Sequence, residues 1–274
     1  MENYLARMLL TSELDDPVFF AQVHQTIMDL EKKRVEHFNL HGPANPGYVT
    51  LMGELNMAYL QANDSTSELE VAKQIFEITK ALYGLEDEVT IESQIALANS
   101  YLDDDRNDEA QKIATELLKR DWSEKEGPSY DLYLDVVCLQ ADIHHKKELF
   151  TKELPLRLHV LTILEEFEGS ANNQSIIARA AYGYCLEKMK RYREALEQYI
   201  TIRAFLDNEK ELSTHAEKIG LMAHIGRCYH KIGKFEESKM AYQWALRESI
   251  TLYGHASPLT VKMKKITSTY SLKE

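Results

Sequence analysis

The sequence predicts an all-α protein built as a solenoid of repeated helix pairs. Three observations carry that reading. Glycine and proline number only 11 and 6 in 274 residues, and runs alternating Val, Ile and Thr are scarce, so long helices are favoured over strands. Glycines recur at Gly42, Gly84, Gly127, Gly169 and Gly254, spaced by 42, 43, 42 and 85 residues; the last gap is two units, with the middle glycine replaced near Glu211. A start signal follows the stop: Asn45–Pro46 and Ser257–Pro258 each place a polar N-cap before a proline at the first helical position, where its missing N–H does no harm. Gly127–Pro128 is a weaker copy.

Taken in order, the repeats fall at about 1–42, 43–84, 85–127, 128–169, 170–211 and 212–254, in one domain over 1–274. In the first, a short helix reaches about Thr11, and Asp16–Pro17 opens a second that runs through KRVEHFNLH. A tyrosine-type position recurs at Tyr59, Tyr101, Ile143, Leu186 and Tyr229. The second unit reads as carrying four extra residues in its turn (63–68) before Ala72 and Phe76 resume the pattern. The fourth lacks the small residues and holds Pro155, expected in the first turn of a helix from Thr151 or else at a kink. The clearest unit is MAHIGRCYHKIGKFEESKMAYQWAL, with Gly226, Tyr229, Gly233, Ser238, Tyr242 and Ala245. After Ser257 a last helix over 257–272 places Leu259, Met263, Ile266 and Tyr270 on one stripe, away from Lys262, Lys264 and Lys265, as a closing cap requires.

This pattern of small residues, tyrosine and alanine resembles the tetratricopeptide repeat (TPR). That repeat has a period of ~34 residues, so about eight more per unit lengthen the second helix by roughly two turns. The long second helix followed by Leu–aromatic–Gly and a proline resembles the repeats of kinesin light chains and their bacterial relatives, over roughly 40–260. The resemblance implies a right-handed TPR superhelix of about six helix pairs plus the C-terminal capping helix. A concave groove would be lined by the first helix of each pair. The heptad coiled coil that precedes kinesin light chain repeats is lacking, so motor attachment is not carried over.

The net charge of −12 argues against nucleic acid and against an anionic membrane surface, since both are bound through Lys and Arg. No apolar run approaches ~18 residues, and MENYLARMLLTSELDD reads as neither signal nor transit peptide. Three scattered cysteines read as reduced packing residues of a cytoplasmic protein.

Catalytic motifs are lacking, and no cofactor or metal is expected. DDDRNDE (103–109) has three residues in calcium-loop order but no glycine at the sixth place and Ala114 at the twelfth, so it reads as an acidic turn. Cys138 with His144–His145 supplies too few ligands for zinc. Glu165, Glu166 and Glu168 read as a solvated face.

The groove positions implied by the resemblance are Met57, Leu60, Gln61, Asn99, Leu102, Asp103, Ala141, His144, His145, Tyr184, Glu187 and Lys188, then His224, Arg227, His230 and Lys231. The N-terminal part of this wall reads as apolar with one Asn. Its last two units are basic, so the peptide-binding set is Asn99, Tyr184, Lys188, His224, Arg227, His230 and Lys231, suited to an acidic segment. The expected function is a non-enzymatic peptide-binding adaptor or scaffold. The alternatives are a peptide-gated regulator whose superhelix tightens on binding and, disfavoured, an enzyme. Leu5, Met8, Leu9 and Leu10 suggest an apolar N-terminal end that a homodimer would cover.

Overall fold

The computed structural model describes residues 17–122, 128–167, 169–170, 172–208 and 215–271. Among these residues there are twelve α-helices and no strand. They form two compact units. The N-terminal unit holds α1 (Pro17–His41), α2 (Pro46–Gln61), α3 (Ser65–Tyr83), α4 (Glu88–Asp103), α5 (Asn107–Leu117) and α6 (Pro128–Lys146). The other, from Phe150 onward, holds α7 (Phe150–Phe167), α8 (Asn173–Lys188), α9 (Tyr192–Asn208), α10 (His215–Lys231), α11 (Phe235–Tyr253) and α12 (Pro258–Ser271). Within each unit every helix packs on the next in sequence, and α4 also packs on α6, the stacking of an α-solenoid. The helix expected before Thr11, Gly127 and the unit boundary near Glu211 lie outside the described residues.

The helix boundaries have the expected chemistry. Gly84 and Gly254 end α3 and α11 at φ 87° and 76°, a region that costs glycine nothing. Asn45 accepts from Tyr48 N at 3.0 Å and Ser257 Oγ from Thr260 N at 3.2 Å, capping α2 and α12 over their leading prolines. The second helices α3, α7, α9 and α11 run 19, 18, 17 and 19 residues, as the long period requires. The exception is α5, of 11 residues, where Trp122 Nε1 donates to Leu117 O at 3.0 Å and satisfies a terminal carbonyl.

The turns inside the pairs corrected the register. A left-handed residue stands at Asn63, Asp105, Glu148, Lys190 and Gly233, and the following N–H bonds the carbonyl five residues back, of Tyr59, Tyr101, His144, Leu186 and Tyr229. The third tyrosine-type position is therefore His144, not Ile143. Nor does the second unit hold an insertion: its turn is as short as the others, and α3 begins at Ser65. Counting from the left-handed residue, the small position of the second helices holds Glu68, Ala110, Glu153, Ala195 and Ser238. Two buried glutamates therefore stand where alanine or serine was sought. Glu68 accepts from Ser100 Oγ at 3.0 Å, and Glu153 pairs with buried Arg157 at 3.1 Å. Pro155 is the sixth residue of α7, beyond its first turn, and the helix continues past it with an exposed ring.

Only one of these five turns has glycine, and the charged residues Glu148 and Lys190 tolerate a conformation that costs an L-residue roughly 1–2 kcal/mol. Lys190→Gly is expected to raise stability by about 0.5–1 kcal/mol in urea denaturation, the gain being offset in part by the freer unfolded chain.

The core is continuous along the C-terminal unit, from Ile176, Leu186 and Tyr199 to Ile225, Ala245, Leu259 and Met263. Gly183 and Gly226 let the tyrosine rings of Tyr199 and Tyr242 lie against α8 and α10; a Cβ at Gly226 would stand 2.9 Å from the Tyr242 ring. In α12, Leu259 and Met263 are buried and Ile266 half-buried, while Lys264 and Lys265 are exposed, so one stripe packs and the other faces water. Leu259, Met263 and Ile266 form the expected apolar stripe. The fourth, the Tyr270 side chain, lies outside the described residues.

Candidate functional site

The first helices α8 and α10 stand 43 residues apart in the repeat, so their inner positions pair as Tyr184 with Arg227, Glu187 with His230, and Lys188 with Lys231. Tyr184 is half-buried and Lys188 exposed, with the ammonium 5.0 Å from the Tyr184 ring centroid. Lys231 is exposed, and His230 is half-buried against Phe235 at 5.3 Å.

Beneath this surface lies Glu187, 7% exposed. Its carboxylate gathers groups from two neighbouring helices. Tyr199 of α9 donates its hydroxyl at 2.9 Å, and His224 of α10 donates Nδ1–H at 2.8 Å. Arg227 Nε pairs with its other oxygen. Because an ionised carboxylate only accepts, the contact sets the His224 tautomer. Arg227 Nη2 also lies 2.8 Å from that nitrogen, so Arg227 and His224 crowd together on the one carboxylate. Burial by itself would raise the Glu187 pKa, but the His224 hydrogen bond and the Arg227 charge hold it below its ordinary value. Burial, then the adjacent carboxylate, pushes Tyr199 well above 10.

The sequence-derived set therefore separates by depth. Asn99, Lys188 and Lys231 are exposed, and Tyr184, Arg227 and His230 are half-buried. His224 is not on the surface: it is 5% exposed, edge-on to Tyr184 at 5.8 Å, because its imidazole is needed at Glu187. Leu102 and Ala141 are likewise buried rather than exposed on the inner wall. Glu187, which gathers the cluster, had no sequence signal beyond its place in the repeat.

The N-terminal unit differs from its expected apolar wall. With the corrected register, Glu92 and Asp135 share one repeat position, a helical heptad before Asn99 and Asp142. Asp135 is half-buried; burial first, then the charges of Asp131 and Glu92, raise its pKa to about 6. The acidic turn after α4 is occupied by ion pairs, Asp105 with Lys146 and Asp108 with Lys147, both at 3.2 Å. None of Cys138, Cys185 and Cys228 is in a disulfide.

This fold is the TPR-like α-solenoid. The solved structures to which the chain is similar include BtubC (BKLC) from P. vanneervenii, at 13% identity over 88% of this chain and 94% of that one, with a TM-score of 0.62. A second is a protein of Podosopora anserina with nearly identical TPR-like repeats, described as a kinesin light chain, at 18% identity over 70% of this chain and 90% of that one, with a TM-score of 0.52. At such identities the likeness is one of fold. No protein-family model matches the chain, and no curated protein sequence matches it.

Proposed function

We propose that the chain is a non-enzymatic adaptor or scaffold, one TPR solenoid domain whose first-helix face binds a segment of another protein, acidic in character. The surface of α8 and α10 supports this reading. Around Tyr184 it holds Lys188, Arg227 and Lys231 against a single buried carboxylate, a local positive surplus in a chain of net charge −12. Arg227, half-exposed and held at Nε by Glu187, is preorganised to receive a carboxylate. Three reduced thiols fit a cytoplasmic protein. No described helix is long and apolar enough to cross a membrane. Exposed Met28, Val35, Phe38 and Leu40 on α1 give a second copy an apolar end to cover.

An array of Asp- and Glu-rich peptides tests the proposal against the full chain and Lys188→Glu/Lys231→Glu, a variant that leaves the Glu187 cluster intact. Binding is expected to weaken on the order of tenfold and to fall with salt, at unchanged thermal midpoint. Equal binding by the two proteins would show that this face is not the site.

A further inference from the structure

We propose that His37 and His41 form a two-imidazole site for a first-row divalent transition-metal ion at the C-terminal end of α1, with Cu2+ the tightest occupant. The two residues stand one turn apart on one helix face, and their ring centroids are 4.8 Å apart. Histidines at this spacing supply two of the ligands in helical zinc sites. No hydrogen bond among the described residues occupies either ring, and His37 Nδ1 is enclosed without a partner. The rings line one rim with Lys33, Glu36, Leu40 and Leu51, where the Lys33 and Glu36 charges oppose each other.

The repeat shows that these imidazoles are not its ordinary occupants. Positions equivalent to His37 hold buried Thr79, Leu164 and Ser249, the two hydroxyls bonding within the structure, and those equivalent to His41 include Tyr83 and Tyr253. Gly47 departs as well. Its counterparts are Val89, Gln174 and Leu259, and a Cβ here would stand 3.2 Å from His37 Nε2, so glycine leaves that ring edge uncrowded. Three coupled departures converge on one place. The site also lies over the last turn of α1, where the helix dipole favours a cation. Neutral imidazole suits borderline ions, and among these Cu2+ binds most strongly; solvent would complete the coordination.

Calorimetric titration of the full chain with Cu2+ and Zn2+, paired with electron paramagnetic resonance of the Cu2+ form, tests the site. The wild type is expected to take up an equivalent with a two-nitrogen spectrum and to rise in thermal midpoint with metal. His41→Ala, at an exposed position, and His37→Ala should each lose that equivalent and that rise. The remaining histidines are the same in all three proteins. Uptake and spectra unchanged in His41→Ala, or a wild type that shows no such uptake, would overturn the proposal; His41→Ala keeps the test valid even where His37→Ala weakens the fold.

Discussion

Glu187→Ala is expected to destabilise the C-terminal unit by about 2–5 kcal/mol. The cost does not come from a lost surface ion pair. It comes from the donors left behind: the Tyr199 hydroxyl is fully buried and His224 nearly so, and neither can turn to water. Arg227, with 41% of its side chain exposed, recovers part of its solvation and adds less. Tyr199→Phe by itself leaves the carboxylate two partners and costs about 1–2 kcal/mol. Combining the two substitutions should cost less than the sum of the singles, because they remove the same hydrogen bond. Denaturant unfolding at several pH values checks all of this. The folded Glu187 pKa lies below its unfolded value, so its contribution is present above the ordinary carboxylate range and is lost as pH falls through the depressed folded value. The gap between wild type and Glu187→Ala should hold from neutral pH to about 5 and narrow at lower pH as the carboxylate is protonated. A gap that stays constant through acid pH would mean that Glu187 acts by packing and not by charge.

Asp135→Asn is expected to act in the opposite direction, stabilising the N-terminal unit by about 1–3 kcal/mol at pH 7.5. Here the folded pKa is raised, from 3.8 to about 6, by burial and then by Asp131 and Glu92. The folded form therefore binds more protons than the unfolded chain between those values, and stability declines as pH rises through that window. Above about pH 6 the full cost of holding the ionised carboxylate is present, and asparagine removes it. The gain should shrink as pH is lowered and vanish below about pH 3, where the carboxyl is protonated in both states. A gain independent of pH, or none at pH 7.5, would contradict this account.

The repeat was legible because its punctuation is local. Gly42, Gly84, Gly169 and Gly254 stop helices through their own backbone freedom, and Asn45 and Ser257 start them with bonds three residues long. The internal turns were harder to read. Four of the five left-handed positions hold Asn, Asp, Glu or Lys, so the alignment rested on the small residues nearby. Glu68 and Glu153 occupy two of those places and shifted it. A pattern aligned on small residues therefore points to Ile143 in place of His144 and to an insertion in a turn that has none.

The sequence by itself determined the all-α repeat, its period of 42–43 residues, the capped starts and glycine stops, and the candidate face on α8 and α10. All but the face follow from spacing or from bonds between near neighbours; the candidate face comes from the resemblance to TPR repeats. Only the tertiary structure decided which of those residues face water. Glu187 meets Tyr199 from 12 residues away and His224 from 37, so its burial depends on how three helices close on one carboxylate. That closure takes His224 out of the surface set, turns Arg227 into a held guanidinium, and leaves Lys188 and Lys231 as the open charges of the face.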